Sequence, residues 1–299
     1  MVEVALCWPI IQTKFIYRAI ETAYKYTSCE FRVFVYDQSI DGMDMDFVRK
    51  YVHLYTRPYH NLGFAKASNE MLWTGYRQGY PYLAVCNDDI EYMHKNWWQG
   101  ILDTFASNEK ILVTSPMSPK EGAWGYGLTA ENNDIWIPSK PGMVRDPDDE
   151  RAVLPEGFKY KQDFTQEDYE YLVNNHPWWQ KDTFNEGNAA WHPVFKRETL
   201  EKIGYFDEMF LYGGGEDYDY NARVYRLGYR FVGTTKSWVW HWWGRSKDQM
   251  DKLPPELFDR PGWNDLDTLW PPHLNEGHSC DPWGMYQNSK GERVPLKRI

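Results

Sequence analysis

The chain has 299 residues, 42% of them hydrophobic, enough for a sizeable core in one large or two modest domains. Its 33 basic against 43 acidic side chains give a net charge of -10, which argues against a broad electrostatic grip on nucleic acid or on an anionic membrane. Cys7, Cys29, Cys86 and Cys280 show no C-x-x-C spacing, so free thiols in a reducing compartment are expected and not a disulfide framework.

The chain opens with a strand-like run, Val2 to Trp8. Glu3 stands where a leader would carry a basic flank, and no uncharged apolar stretch approaches the ~18 residues that span a bilayer. A cytoplasmic protein is expected, with membrane contact at most peripheral. Phe15 to Tyr26 repeats apolar residues at helical spacing, and Phe31 to Tyr36 is a second strand ending in Asp37, which completes a βαβ unit. Val52 to Tyr55 is a third strand. After Asn61-Leu62-Gly63, the residues Phe64, Ala67, Met71 and Leu72 mark one face of a helix.

Tyr82 to Cys86 is an apolar run that reads as a buried strand, and Asn87-Asp88-Asp89 stands at its end. A helix around Trp97 to Phe105 and a strand Ile111 to Thr114 continue the alternation. This pattern predicts an α/β fold with a mostly parallel central sheet flanked by helices. From Pro116 to about Gly187 the alternation is lost, apart from a helix start at Thr165 and Asp168 ahead of Tyr171-Leu172-Val173. Order returns with Trp191 to Phe195, a helix Lys196 to Ile203, and a helix from about Tyr218 to Leu227 closed by Gly228. Two short strands, Arg230 to Val232 and Ser237 to Trp240, then deliver His241; the remainder has little periodicity. Four regions are expected: 1–115 for nucleotide binding, 116–186 as an insertion or lid, 187–246 for acceptor binding and catalysis, and 247–299 as an irregular tail packed on the core.

Three places carry chemistry. Ligands of open α/β sheets bind at the carboxyl ends of strands, and Asp88 and Asp89 fall there, with hard oxygens suited to Mg²⁺ or Mn²⁺ beside a diphosphate. Asn and Asp also favour turns, which is the plainer reading of the same residues. Glu216 and Asp217 follow three glycines at a helix start; they suit either compensation of the helix dipole or a general base that takes a proton from a hydroxyl. His241, beside Trp242 and Trp243, is either a packed structural residue or a metal ligand. The 16 tryptophans include Trp97-Trp98 and Trp178-Trp179; most belong to the core, and some, with Trp124 and Trp136 in the insertion, suit sugar rings.

With these residues in order, the chain resembles a glycosyltransferase of the GT-A fold, a Rossmann-like architecture, in the large inverting class that uses nucleotide-sugar donors. Tyr36-Asp37-Gln38-Ser39-Ile40-Asp41-Gly42 is similar to the family's V-D-N-x-S-x-D-G segment, although Gln38 stands where the family has Asn or Asp. Asn61-Leu62-Gly63-Phe64-Ala65 with Asn69 resembles its N-x-G-x-A helix start, and Asn87-Asp88-Asp89 its D-x-D element with Asn in first place. Gly187-Asn188-Ala189-Ala190, Gly204-Tyr205-Phe206-Asp207-Glu208, and Glu216-Asp217-Tyr218-Asp219 with Arg223 match later segments, and His241 matches a late metal-binding His.

The resemblance implies roles. Asp37 would contact the donor's base, and Asn61, Gly63, Lys66 and Asn69 would lie near its ribose and diphosphate, with Asn87 and Asp88 also on the donor side. Asp89 and His241 would hold Mn²⁺ or Mg²⁺. Asp217 would be the base and Glu216 would orient the acceptor, with Trp191, Asn188 and Arg223 on the acceptor side. The expected reaction is inverting transfer from a nucleotide-diphosphate sugar, a UDP-sugar above all, to a hydroxyl of a saccharide or glycoconjugate. The alternatives are a sugar-1-phosphate nucleotidyltransferase, whose Gly-rich loop is absent from Cys7-Trp8-Pro9-Ile10, and a noncatalytic carbohydrate- or nucleotide-binding protein.

Overall fold

The computed structural model describes residues 3–118, 165–167, 169–170, 184–186, 191–208, 216–241, 285–287 and 293–295. Its centre is β1 (Val4–Ile10), buried along its whole length. Val4, Leu6, Trp8 and Ile10 face one core while Ala5 and Cys7 face the other, so the unbroken apolar run is a strand covered on both sides. Parallel to it lie β2 (Phe31–Asp37), with β3 (Leu54–Thr56) beyond, and on the other side β4 (Tyr82–Val85). Helices α1 (Ile16–Tyr26) and α3 (Phe64–Gln78) make the crossovers. Gly63 caps α3 at φ 88 and Gly79 ends it at φ 85, a left-handed region that other residues adopt only at a cost.

The second half departs from a parallel sheet. The strand β8 (Val194–Lys196) runs antiparallel between β4 and β6 (Ile111–Met117), and β6 then pairs parallel with β9 (Arg230–His241). Two further strands, β5 (Ile90–Tyr92) and β7 (Phe184–Glu186), add to β9 antiparallel. The sheet order is β3-β2-β1-β4-β8-β6-β9-β5, with β7 also on β9. The expectation of a mostly parallel sheet thus holds for the first half, and the second half is mixed.

Several local readings are corrected. The two strands expected at Arg230–Val232 and Ser237–Trp240 are one, because the polar residues between them form a register shift and not a turn. Thr234 accepts a hydrogen bond at Oγ1 from the Lys236 amide and another from Thr104 Oγ1, so the irregular backbone is satisfied inside the fold. Between Pro116 and Gly187, where no strand was expected, β7 pairs with β9. The tail, expected to be irregular, carries an antiparallel pair, β10 (Met285–Gln287) with β11 (Arg293–Pro295). Helix α2 (Met45–Tyr51), missed in the sequence, is capped by Asp44, whose Oδ1 accepts from the amides of Asp46 and Phe47.

Helix α4 (Asn96–Ser107) packs against β9 so closely that a methyl group on Gly100 would meet the Lys236 carbonyl at 1.9 Å. Residues 166, 167, 169 and 170 are helical, as the Thr165 start predicts, and the buried Tyr169 hydroxyl donates to the Lys236 carbonyl. Two more helices, α5 (Arg197–Lys202) and α6 (Glu216–Arg226), follow β8. A helix that leads into a parallel strand runs against it and therefore begins at the carboxyl edge of the sheet. This places Gly63, at the start of α3, and Glu216 and Asp217, at the start of α6, along the edge where β1, β2 and β4 end. No described helix is long and apolar enough to cross a membrane.

Candidate active site

At that edge β4 ends and the chain turns through Asp88 and Asp89 into β5. Both carboxylates are turn residues and both are buried. Because β5 pairs with β9 in the register Ile90↔His241, the residue before Ile90 falls beside the end of β9. Asp89 Oδ1 lies 3.1 Å from His241 Nε2, and the Asn87 amide Nδ2 lies 3.3 Å from the same nitrogen. An anionic oxygen, an imidazole nitrogen and a neutral amide therefore converge on one spot.

This donor set suits a hard or borderline divalent ion such as Mn²⁺, which accepts carboxylate and imidazole together, with the remaining positions left to phosphate and water. Among the described residues no group of three or more His, Cys, Asp or Glu side chains forms a metal cage. A two-residue site completed by substrate is the form in which these residues fit the ion.

His241 is held at its ring and at its backbone. The Trp191 indole stacks on it, with centroids 4.8 Å apart and planes 13° from parallel, and the His241 amide donates to Ser118 Oγ at 3.1 Å. The Trp191 carbonyl in turn accepts from the Asn87 amide at 2.9 Å, which ties the end of β4 to the same tryptophan. Trp191 was expected on the acceptor side. It is buried, and the structure shows its ring spent on His241.

Behind Trp191 lies a polar knot that the sequence did not reveal. His192 Nε2 is 2.8 Å from the Tyr92 hydroxyl, and Cys86 Sγ is 3.7 Å from that hydroxyl. Burial pushes the His192 pKa down to about 3, with the other perturbations smaller, so the ring is neutral. Burial also pushes the Cys86 thiol and the Tyr92 phenol up, which keeps both protonated.

On the β2 side, Asp37 is wholly buried. Its Oδ1 accepts from Ser39 N at 2.9 Å and Ser39 Oγ at 2.5 Å, and its Oδ2 from Met43 N at 2.9 Å and Tyr55 OH at 2.6 Å. Four acceptances match a carboxylate's lone-pair sites, so Asp37 holds the loop after β2 together. The next residue, Gln38, accepts from Leu62 N at 2.7 Å, while Asn61 Oδ1 accepts from Gly63 N at 2.8 Å; together they shape the entry to α3.

A residue missed in the sequence stands two positions past β1. Gln12 is 5% exposed, and neither its Nε2 nor its Oε1 has a hydrogen-bond partner among the described residues. A buried amide with both ends unsatisfied costs about 1–3 kcal/mol for each lost partner and calls for an explanation. The available signal was a polar side chain directly after an unbroken apolar run.

Other expected site residues have internal partners. Asn69 exchanges two bonds with the Phe206 backbone, at 2.9 and 3.0 Å, and donates to Glu208 at 3.1 Å, so its amide joins α3 to the 204–208 segment. Lys66 Nζ is 2.9 Å from Glu70 and 3.5 Å from Glu208. Arg223 donates to Asp219 at 2.8 Å and to the Ile203 carbonyl at 3.0 Å. These contacts place Lys66, Asn69 and Arg223 together in a groove beside α3. Glu216 is buried and Asp217 half-buried in the first turn of α6. Asn188 and Gly213 to Gly215 lie outside the described residues.

Solved structures match this chain in fold at low identity. The chain resembles a mannosyltransferase from Pyrobaculum calidifontis in complex with GDP-Man and Mn²⁺ (14% identity, TM-score 0.50), covering 81% of this chain and 57% of that one. It resembles GalNAc-T7 solved with UDP, GalNAc and Mn²⁺ at 14% identity and TM-score 0.54, covering 89% of this chain and 47% of that one. The TarS protein of S. aureus, in complex with UDP, matches at 12% identity and TM-score 0.50, over 90% of this chain and 64% of that one. The chain therefore spans less than two thirds of each of these proteins. No family profile and no curated protein matches its sequence. The fold is the GT-A fold of glycosyltransferases.

Proposed function

We propose that the chain is a glycosyltransferase that moves a sugar from a nucleotide-diphosphate donor, a UDP-sugar in the first instance, to a hydroxyl of a saccharide acceptor, with inversion and with a bound divalent ion. The observation that carries this reading is the buried convergence of Asp89 Oδ1 and His241 Nε2 at the carboxyl edge of a GT-A sheet. Similar folds solved with nucleotides and Mn²⁺ support it.

When bound there, the ion neutralises the donor's diphosphate and makes it a better leaving group. The chain's own residues do the rest. Asp89 and His241 hold the ion, Trp191 fixes the imidazole plane, and Asn87 supplies a neutral group beside it. Gln12 offers one acceptor and one donor to the nucleobase edge, which accounts for its unsatisfied amide. Gln38, Asp37 and Asn61 keep the backbone around Gly63 open for the ribose and diphosphate.

Asp217 accepts the proton of the acceptor hydroxyl as that oxygen attacks the anomeric carbon. The bond from that carbon to the diphosphate oxygen breaks in the same displacement, so one carboxylate suffices and the configuration inverts. Glu216 orients the acceptor.

The direct test is release of nucleoside diphosphate from a panel of UDP- and GDP-sugars, with Mn²⁺ and with chelator, and with and without a pool of oligosaccharides. Metal-dependent release stimulated by acceptor is the expected result. Absence of release from every donor, with or without acceptor, would refute transfer and leave a noncatalytic binding protein.

A further inference from the structure

Helix α3 presents Lys66, Glu70, Trp73 and Arg77 at helical spacing along one flank. Opposite them runs the 203–208 segment, held to the helix through the amide of Asn69. Between the two walls is an open groove of about 740 Å³, within the range of about 300–1,000 Å³ typical of small-ligand sites.

Trp73 stands in the wall of this groove with 50% of its surface exposed, and Tyr205 lines the other wall. A single exposed aromatic side chain is ordinary on a protein surface. Here it borders a concavity whose other groups are polar. The Arg77 guanidinium lies 5.3 Å from the ring centroid, which braces the indole against the helix.

Charge narrows the ligand. Glu70, Asp207 and Glu208 line the groove against Lys66 and Arg223, and Arg223 is already paired with Asp219, so a phosphate or other anion meets net repulsion. A cation is not favoured either, because the Lys66 ammonium sits between Glu70 and Glu208. What remains is a neutral polyhydroxyl ligand. Carboxylates and an ammonium group exchange hydrogen bonds with its hydroxyls, and an indole face covers the apolar face of a pyranose ring.

We propose that this groove binds a saccharide, as a subsite for the part of the acceptor glycan remote from the bond being formed. Binding in the groove stands on the geometry alone; only its assignment to the acceptor rests on the function proposed above. The Lys66–Glu70–Glu208 bridge then serves as a polar bracket across the groove mouth, and Trp73 as its platform.

The test is binding of the full chain to a glycan array without donor or metal, followed by calorimetric titration of the strongest hit against the parent, Trp73→Ala and Trp73→Tyr. Trp73 is a surface residue, so the variants are expected to keep the parent's thermal midpoint and its stabilisation by nucleotide. The expected result is a loss of affinity of about fivefold to tenfold in Trp73→Ala, the size of one aromatic contact, with most of it retained in Trp73→Tyr. Equal affinity of the parent and Trp73→Ala would overturn the proposal, and so would an array without hits from a chain that nucleotide still stabilises. A saccharide that binds through Trp73 in a chain that no nucleotide stabilises would uphold the groove and sink the transferase reading instead.

Discussion

The indole of Trp191 lies flat on the imidazole of His241, 4.8 Å from centroid to centroid, and both residues are buried. A stacked aromatic plate restricts the imidazole to one plane, with Nε2 3.1 Å from Asp89 Oδ1. Partners that fix a ligating imidazole are typically worth about ten- to a hundredfold in metal affinity. Trp191→Leu is expected to weaken Mn²⁺ binding by at least about tenfold, and Trp191→Phe much less. Titration followed by the electron paramagnetic resonance of free Mn²⁺ reads this directly, and equal affinity in all three proteins would show that the stack has no bearing on the ion.

Asp217 is half-buried in the first turn of α6, so its replacement by Asn keeps both shape and helix start. Loss of a general base costs about 10²- to 10⁴-fold in turnover. Asp217→Asn is expected to lose transfer by that factor and to keep nucleotide binding. Transfer near the parent rate would remove Asp217 from the mechanism.

Gln12 gives a prediction whose stability and binding parts have opposite signs. If its amide awaits a nucleobase, Gln12→Leu removes two unsatisfied buried groups and is expected to raise the melting temperature of the ligand-free protein, by the equivalent of about 2–6 kcal/mol. The same variant should lose most of its stabilisation by nucleotide. A Gln12→Leu protein that binds nucleotide as the parent does would assign the amide no role in recognition.

His192 fixes a pH dependence. Its pKa is about 3 in the fold, lowered by burial, against an ordinary value near 6.5 in the unfolded chain. The unfolded state therefore binds the extra proton first as pH falls. The contribution of the neutral ring is fully present above about pH 6.5 and is lost progressively toward pH 3, with a slope near 1.4 kcal/mol per unit. Urea unfolding between pH 7.5 and 4.5 should show this slope in the parent and a shallower one in His192→Gln. Parallel slopes in the two proteins would place the titrating group elsewhere.

Much of the frame could be read from residue order, for identifiable reasons. The strand through Val4–Ile10 is a continuous apolar run and Phe31–Asp37 is apolar but for Arg32 and its closing Asp37, both with residues buried on each face, and α3 has both a helical stripe and a glycine at each end. The antiparallel β8 could not be read, because three residues carry no signal for which distant strands they join. Gly233 to Lys236 read as a break between two strands because polar residues at a register shift look like polar residues in a loop. In the site, Asp89 and His241 were paired only through the family resemblance, because their approach depends on the pairing of Ile90 with His241, which only the fold decides. Asp37 carried the right chemistry for a ligand and spends it on its own loop, a use that depends on Met43 and Tyr55 folding back over it.

The most direct measurement is the thermal midpoint of the full chain with a panel of nucleoside diphosphates, each with Mn²⁺ and with chelator, for the parent and for His241→Ala. A ligand that binds only the folded state raises the midpoint. The expected result is stabilisation of the parent by one nucleotide when Mn²⁺ is present, lost on chelation and lost in His241→Ala. A shift of the same size with chelator, or none with any nucleotide, would contradict a metal-dependent donor site at Asp89 and His241.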